Sequence, residues 1–199
     1  YEELSLPENE VNFVVLHGQT VNHFSKTEVA ENVNLKKLEG KNIDYLALGH
    51  IHYHVLDKLD SRGVYAYSGC LEGRGYDECG VKGFVLIEVE GGKVTPTFVP
   101  FARRTIYNVE LDLSSFTDWA NVEDAVSVAL SNASYDDMVR VYFYGKYQPS
   151  LRKNLDMLKV KLKDYFGFKI KDDSVMKLVK ADLENDLSLR GEFMRQVYA

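Results

Sequence analysis

Two short apolar runs, each ending at a histidine, constrain the fold of this chain more than any other feature. Val11–Leu16 (VNFVVL) leads directly into His17, and Ile43–Leu48 (IDYLAL) leads through a glycine into His50. Nearly continuous apolar runs of this length are typical of strands buried on both faces of a sheet that helices cover. Ligands of open α/β sheets bind beyond the carboxyl ends of such strands, so both histidines lie where a site is expected.

For the rest of the first half, the sequence predicts turns and hairpins and few helices. One weak helix is predicted over Ser25–Leu38, where Ser25 and Glu28 have the spacing of a capping box. Two hairpins are predicted, Val55–Leu59 with Val64–Tyr67, and Phe84–Glu90 with Lys93–Val99 around a Gly-Gly turn. One helix cannot cover two doubly buried strands. We therefore expect either that the second half supplies the cover or that a segment upstream of Tyr1 does.

The second half alternates between strand and helix patterns. Every second residue is apolar around Tyr107–Leu113, Val139–Phe143 and Phe168–Ile170. Between these strands, one helix is predicted to begin after Asn121 as its N-cap, and a longer one to span Leu151–Tyr165. This order predicts a small α+β sandwich in residues 102–199, separate from a first domain in residues 1–101.

Composition narrows the class of protein. The chain has 199 residues, is 45% hydrophobic and carries a formal net charge of −6, which excludes a disordered chain and a uniformly basic nucleic-acid binder. No apolar run approaches the ~18 residues of a membrane span, and the acidic opening segment is unlike a signal peptide. The two cysteines, Cys70 and Cys79, have no disulfide or metal-site spacing and are expected as free thiols in the cytoplasm.

Five histidines all precede residue 55, and three of them carry the strongest chemical pattern. A His-x-His pair on extended chain, here His50 and His52, directs both imidazoles to one side, and imidazole is a ligand for Zn, Mn, Fe and Ni. With His17 beyond a neighbouring strand, the three predict a metal site. His54 continues the alternation and is either a fourth member or a strand surface residue. His23 has no such spacing and is expected to be structural.

Four segments, in this order, resemble one family. They are Leu16–Gln19 (LHGQ), Ile43–His52 (IDYLALGHIH), Tyr67–Cys70 (YSGC) and Lys82–Val89 (KGFVLIEV). Together they are similar to the C-terminal half of a calcineurin-like metallophosphoesterase, and most of all to DNA repair exonucleases of the SbcD or Mre type. The resemblance covers roughly residues 11–101. It is weaker for residues 102–199, which lie where that family has a small α+β DNA-capping domain.

The resemblance implies a fold, a site and an activity. The fold would be an α/β metallophosphoesterase β-sandwich, of which residues 1–101 form the C-terminal half. The activity would be hydrolysis of DNA phosphodiesters with two divalent ions, expected to be manganese. His17 and His50 would bind one ion and His52 the other. The family's Asp-x-His, Gly-Asp-x-x-Asp and Gly-Asn-His-Asp motifs do not occur in this chain and would lie upstream of Tyr1, so these 199 residues alone are expected to be inactive.

Contacts with DNA and with partners are less sharply predicted. Arg74 and Tyr76 lie in a loop-like segment where one could contact a phosphate and the other stack on a base, or both could be solvated. Arg103 and Arg104 either face the cleft or end the first domain. The basic helix Leu151–Tyr165 with its tail to Lys171 is the candidate for tracking phosphates. The family resemblance adds a coiled-coil ATPase of the SbcC or Rad type as partner and leaves a homodimer open.

Two other functions stay open at this point. The chain could belong to a phosphatase or a cyclic-nucleotide phosphodiesterase of the same superfamily. It could instead be a complete, non-enzymatic module in which His17, His50 and His52 hold one zinc ion.

Overall fold

The computed structural model describes residues 1, 3–23, 31–177 and 187–197. It is a mixed α/β protein with several small sheets and, within those ranges, three α-helices. The chain divides into two compact units, Tyr1–Ile106 and Tyr107–Ala199. The boundary predicted after residue 101 lies a few residues before this division.

The first unit is built on a four-stranded sheet. Its strands are β1 (Phe13–His17), β2 (Tyr45–Gly49), β3 (Val55–Lys58) and β4 (Val64–Tyr67), in the spatial order β1-β2-β4-β3. β1 pairs parallel to β2 and β2 parallel to β4, whereas β3 and β4 form the predicted antiparallel hairpin. The three parallel strands therefore end at one edge of the sheet.

The prediction that both apolar strands are buried on both faces is wrong for β1. Val15 is 77% exposed and Phe13 is 48% exposed, whereas Leu46 in the centre of β2 is fully buried. β1 is the outermost strand of its sheet, and its side chains alternate between partly buried and exposed. The apolar pattern thus identified the strand correctly but not its environment.

An ion pair that we call the Asp44–Arg62 clamp stabilises the opposite end of this sheet, where the parallel strands begin. Asp44, directly before β2, accepts the backbone N–H of Asn12 at 2.8 Å and pairs with the Arg62 guanidinium at 2.9 and 3.0 Å. Arg62 also donates to the carbonyls of Glu8 and Glu10 at 2.7 and 2.6 Å. The Arg62 hydrogen bond lowers the pKa of Asp44 below its ordinary value. Asp44 and Arg62 thus pair with each other and, through hydrogen bonds to backbone groups, tie the segment before β1 to the β3–β4 turn.

The second predicted hairpin forms a two-stranded sheet of its own. β5 (Gly83–Glu90) and β6 (Lys93–Pro100) pair antiparallel along their whole length. Gly91 and Gly92 have φ of 56° and 82°, the two positive values that a type I′ turn needs. This confirms the two-glycine turn read from the sequence.

The second unit has the predicted order of strands and helices. Its main elements are β7 (Ile106–Asp112), α1 (Trp119–Ala129), β8 (Met138–Tyr144), α2 (Leu155–Leu162) and β10 (Gly167–Asp172). The sheet order is β10-β8-β7, with β8 and β10 parallel. Two short strands that the sequence did not reveal, β9 (Lys146–Tyr147) and β11 (Val175–Met176), also pair in parallel. One core joins the sheet to both helices, and Trp119 packs against Phe143 within it.

The predicted helix starts in this unit are wrong. Asp118, not Asn121, caps α1, because the Asp118 carboxylate accepts the backbone N–H of Ala120 at 3.1 Å. α2 begins after Asn154, whose side chain accepts the N–H of Met157, so the buried Leu151 lies before the helix. Several Asn and Asp residues precede these helices, and the sequence alone did not discriminate among them.

The helix predicted over Ser25–Leu38 falls partly outside the described residues. Residues 24–30, including both members of the predicted capping box, are not described, and Leu35–Lys37 form a single 3₁₀ turn. The last described element is α3 (Leu189–Val197). Among the described helices, none has the length and apolarity needed to cross a bilayer. Cys70 and Cys79 are both free thiols.

Candidate metal-binding site

His17 and His50 meet at the carboxyl edge of the parallel strands. His17 is the last residue of β1 and lies opposite Gly49, the last residue of β2, so His50 follows directly beside it. The two imidazole rings are 5.6 Å apart between centroids and nearly perpendicular. Parallel pairing thus places two imidazole donors side by side, as the positions of these residues at strand ends predicted.

The backbone around the pair is specialised. A Cβ added to Gly49 would lie 2.9 Å from Nδ1 of His17, so only glycine leaves room for that ring. His50 has φ of 103°, a conformation that side-chain-bearing residues rarely adopt. Such backbone outliers are concentrated at functional sites, where surrounding structure has to hold them in place.

The loop after His17 is fixed by the two neighbouring strands. The N–H of Gly18 donates to the carbonyl of Gly49 at 3.2 Å. The hydroxyl of Tyr67, at the end of β4, donates to the carbonyl of Gly18 at 2.8 Å, and Tyr67 is fully buried. All three parallel strand ends therefore contribute to this edge.

His52 belongs to a different group of side chains. Its Nδ1 lies 2.8 Å from a carboxylate oxygen of Glu78, which is only 8% exposed. The Arg74 guanidinium binds the same carboxylate at 2.7 Å and lies 3.0 Å from Nδ1 of His52. Glu78 was not identified from the sequence. Only its burial marks it, because no spacing relates it to the histidines.

Glu78 is the most strongly perturbed acid of this group. The hydrogen bond from Arg74 lowers the pKa of Glu78 from 4.5 to about 2, against the opposing effect of burial. The buried Lys82 donates to the carbonyl of His52 at 2.8 Å, and the Cys70 thiol donates to the same oxygen at 3.4 Å. His52 is therefore held through both its ring and its backbone.

The extended His-x-His geometry assumed from the sequence is wrong. His50 and His52 both lie beyond β2, and the positive φ of His50 breaks the alternation that would direct both rings to one side. His17 contacts His50, whereas His52 contacts Glu78. Within the described ranges, no three His, Cys, Asp or Glu side chains are close enough together to hold a metal ion. The two-ion site remains a prediction.

The other two histidines have structural contacts. The ring of His54 stacks on Phe98 at 4.2 Å, and its Nδ1 lies 3.2 Å from the carbonyl of Tyr67. His23 lies between the hydroxyls of Tyr53 and Tyr65, at 3.4 and 3.3 Å. Neither is placed with the His17–His50 pair, which favours the surface interpretation of His54.

The candidate DNA-contact residues have different surroundings. Arg74 is bound to Glu78 but its side chain is 67% exposed beside His52. Tyr76 is partly buried, and its carbonyl accepts the Cys79 thiol at 3.2 Å. Arg103 is exposed, whereas Arg104 is partly buried and lies 3.8 Å from Glu72. Arg74 is thus in contact with one of the predicted metal-binding histidines, His52.

The basic helix of the second unit is less available to phosphates than its composition indicated. Four of its seven predicted cations pair with acids of the same unit, at 2.6 to 2.8 Å. These four are Lys153 with Asp172, Lys159 with Asp156, Lys161 with Glu123, and Lys171 with Asp173. Such pairs offset part of the positive charge that the sequence assigned to residues 151–171. Of the four lysines, Lys159 and Lys161 lie on α2 itself.

Neither the models of known protein families nor the curated proteins contain a match to this chain. The metallophosphoesterase resemblance therefore rests on the sequence motifs of residues 11–101 and stays a prediction.

Proposed function

We propose that the first unit supplies the histidine side of a metal-dependent phosphodiesterase site that acts on DNA. The observation that carries this proposal is the contact of His17 with His50 at the carboxyl edge of parallel strands. The two ring centroids lie 5.6 Å apart, and a Cβ at Gly49 would force the His17 ring to shift. A surface histidine pair with no role would not require either the glycine or the strained φ of His50.

His52 would act beside this pair through the group that holds it. Metal-binding histidines typically pass their second ring nitrogen to a carboxylate, which fixes the ring and raises its basicity. The Glu78 carboxylate lies at Nδ1 of His52 in this way. The Arg74 guanidinium lies 3.4 Å from Nε2, so it would have to move for Nε2 to bind a metal ion. The Arg74 guanidinium next to the ring supplies a positive charge where a phosphate would bind.

The bound ions would activate water and polarise the phosphoryl group of the substrate. Histidines alone do not neutralise two divalent ions, and the described residues place no carboxylate with the His17–His50 pair. The proposal therefore requires acidic ligands from residues other than those described here. The family resemblance further implies that these 199 residues alone are inactive. It also implies that the whole protein works with a coiled-coil ATPase partner.

The experiment uses the longest natural protein that contains these residues. Manganese-dependent release of nucleotides from end-labelled linear DNA is measured for the wild type and for His17→Ala, His50→Ala and His52→Ala. We expect each variant to lose at least ~100-fold in rate, since each removes a metal ligand. His54→Ala is the matched control, because its ring stacks on Phe98 away from the pair, and it should retain activity.

Other substrates separate the alternatives. Hydrolysis of bis-p-nitrophenyl phosphate without hydrolysis of DNA would favour a small-molecule phosphodiesterase and contradict the DNA assignment. The binding module would be favoured if the 199-residue chain bound one zinc ion tightly and each of the three histidine variants lost that binding. It would also require that no natural protein containing these residues hydrolyses either substrate.

A further inference from the structure

Arg74 lies against the histidine that the family resemblance assigns to the second ion. Its guanidinium is 3.0 Å from Nδ1 and 3.4 Å from Nε2 of His52. The same guanidinium pairs with the Glu78 carboxylate at 2.7 Å. We call this arrangement, in which the guanidinium contacts both His52 and Glu78, the closed position of Arg74.

The closed position uses the ring nitrogen that a metal ion needs. Nδ1 of His52 lies 2.8 Å from the Glu78 carboxylate, so this nitrogen carries the ring hydrogen and donates it. Nε2 is then the acceptor of the neutral ring, and a guanidinium has donors but no acceptor. The Arg74 guanidinium and a metal ion therefore compete for the lone pair of Nε2, and as two cations they also repel each other.

His52 itself is held too firmly to be the partner that moves. Its carbonyl accepts the ammonium of Lys82 at 2.8 Å and the Cys70 thiol at 3.4 Å. Lys82 is only 4% exposed, and Glu78, which holds the ring, is only 8% exposed. A displaced His52 would leave a buried ammonium and a buried carboxylate with fewer partners, which is costly.

The Arg74 side chain can leave without this cost. It is 67% exposed, so water can solvate the guanidinium in another position. After the guanidinium departs, the Glu78 carboxylate keeps Nδ1 of His52 as a donor. It also keeps the backbone N–H of Arg74 at 2.8 Å and the Cys70 thiol at 3.7 Å. The side chain of Arg74 is therefore free to move while its backbone stays bound to Glu78.

We propose that Arg74 alternates between two positions: it covers Nε2 of His52 in the closed position, and it turns to the substrate phosphate when a metal ion binds at Nε2. A phosphate attracts the released guanidinium, because arginine pairs with phosphate oxygens through parallel hydrogen bonds. Metal ion and substrate thus favour the same position of Arg74, and each should strengthen binding of the other. This inference rests on the proposed function, since it takes His52 as a metal ligand.

The first experiment measures Zn²⁺ binding at His52 itself. The ¹⁵N-histidine-labelled 199-residue chain is titrated with Zn²⁺, and the Nε2 resonance of His52 is followed by NMR. Arg74→Ala should raise the Zn²⁺ affinity of His52 ~5-fold or more, because the competing cation is removed. Without metal, the same substitution should shift the Nε2 resonance. If Arg74 only supported the ring, the affinity would fall or stay unchanged, and either result would overturn the proposal.

A matched variant separates this contact from net charge. Lys58→Ala also removes one positive charge from the first unit, at the exposed last residue of β3. It should leave the Zn²⁺ affinity of His52 within ~2-fold, because charges that are exposed and distant are screened. An equal gain in Lys58→Ala and Arg74→Ala would mean that net charge sets the affinity, which would contradict the proposal.

The second experiment tests the phosphate role in the longest natural protein that contains these residues. With end-labelled linear DNA and saturating Mn²⁺, Arg74→Ala should raise KM ~10-fold or more. Arg74→Lys keeps a positive charge, and its KM should stay within ~3-fold of the wild type. Weaker use of DNA together with tighter binding of Zn²⁺ is a combination that damage to the loop would not produce. An unchanged KM in Arg74→Ala would refute the phosphate role.

The outcomes also distinguish this inference from the proposed function. If His52→Ala abolishes the Zn²⁺ response while Arg74→Ala leaves it unchanged, His52 remains a ligand and only the alternation of Arg74 is refuted. If Nε2 of His52 responds to Zn²⁺ in neither the wild type nor Arg74→Ala, the alternation and the metal role of His52 are both refuted.

Discussion

The two units use their sheets in opposite ways. In the second unit, alternating strands bury one face under two helices and leave a polar face open. In the first unit, a nearly continuous apolar strand lies at the edge of its sheet with Val15 mostly exposed. The helices that cover the second sheet, α1 and α2, lie between its strands in the sequence. Between β1 and β2, the only helical structure in the described residues is one 3₁₀ turn.

This difference bears on where stability and function lie. The second unit is held by a compact apolar core around Phe143. The first unit relies on a smaller core and on the Asp44–Arg62 clamp, and its parallel strand ends carry the histidines. Variants that disturb one unit should therefore leave the other largely unaffected.

The largest effect is expected from the core of the second unit. Phe143→Ala should lower the free energy of unfolding by about 3–5 kcal/mol, because it removes a fully buried ring against Trp119. Urea unfolding followed by emission of Trp119, the single tryptophan, measures this. Val15→Ala in the first unit should change its stability by less than about 0.5 kcal/mol, since the side chain is exposed. Hydrogen exchange of peptides from β1 and β2 measures that change. A comparable loss of stability in both variants would contradict the difference between the two units.

The clamp should give the next largest effect, confined to the first unit. Asp44→Asn should lower the local free energy of opening by about 1 kcal/mol at pH 7, measured by hydrogen exchange of peptides from β1 and β2. Exchange in β8 should not change. Faster exchange in both units would show that they are not independent.

The same clamp should depend on pH in a definite direction. Arg62 lowers the pKa of Asp44 below 3.8, so its stabilisation is complete above that value and is lost as the pH falls through the lowered pKa. The difference in exchange between the wild type and Asp44→Asn should therefore shrink below about pH 4. A difference that stays constant down to pH 2 would assign the effect to packing instead of charge.

A small effect on stability but a clear one on the site is expected from glycine replacement. Gly49→Ala should displace the His17 ring, because the new Cβ would lie 2.9 Å from Nδ1, and weaken metal binding ~10-fold. Gly167→Ala in the second unit is the matched control, since its nearest atoms lie 3.6 Å away. Calorimetric titration with Mn²⁺ compares the two. Equal affinities would mean that the ring position is not set by Gly49.

The sequence predicted much of this structure where local pattern decides it. Alternation identified β7 and β8, and the two-glycine turn identified the β5–β6 hairpin, because each depends on neighbouring residues. The exposure of Val15 could not be predicted, since it depends on which strand lies at the edge of the sheet. Helix starts were misplaced because several capping residues competed within a few positions.

The part of the candidate site that depends on local sequence pattern could also be predicted. His17 and His50 follow strands, and parallel pairing makes strand ends neighbours, so their contact could be anticipated. The carboxylate of Glu78 reaches His52 only through the fold of a long loop, which no spacing encodes.

The most direct test of the histidine pair follows each imidazole by NMR. Spectra of the ¹⁵N-histidine-labelled chain are recorded during titration with Zn²⁺, a diamagnetic ion that binds imidazole. The ring nitrogens of His17 and His50 should shift together and saturate at one concentration, while those of His54 stay in place. Independent titration of His17 and His50, or no shift of either while His23 or His54 responds, would contradict the claim that the pair forms one side of a metal site.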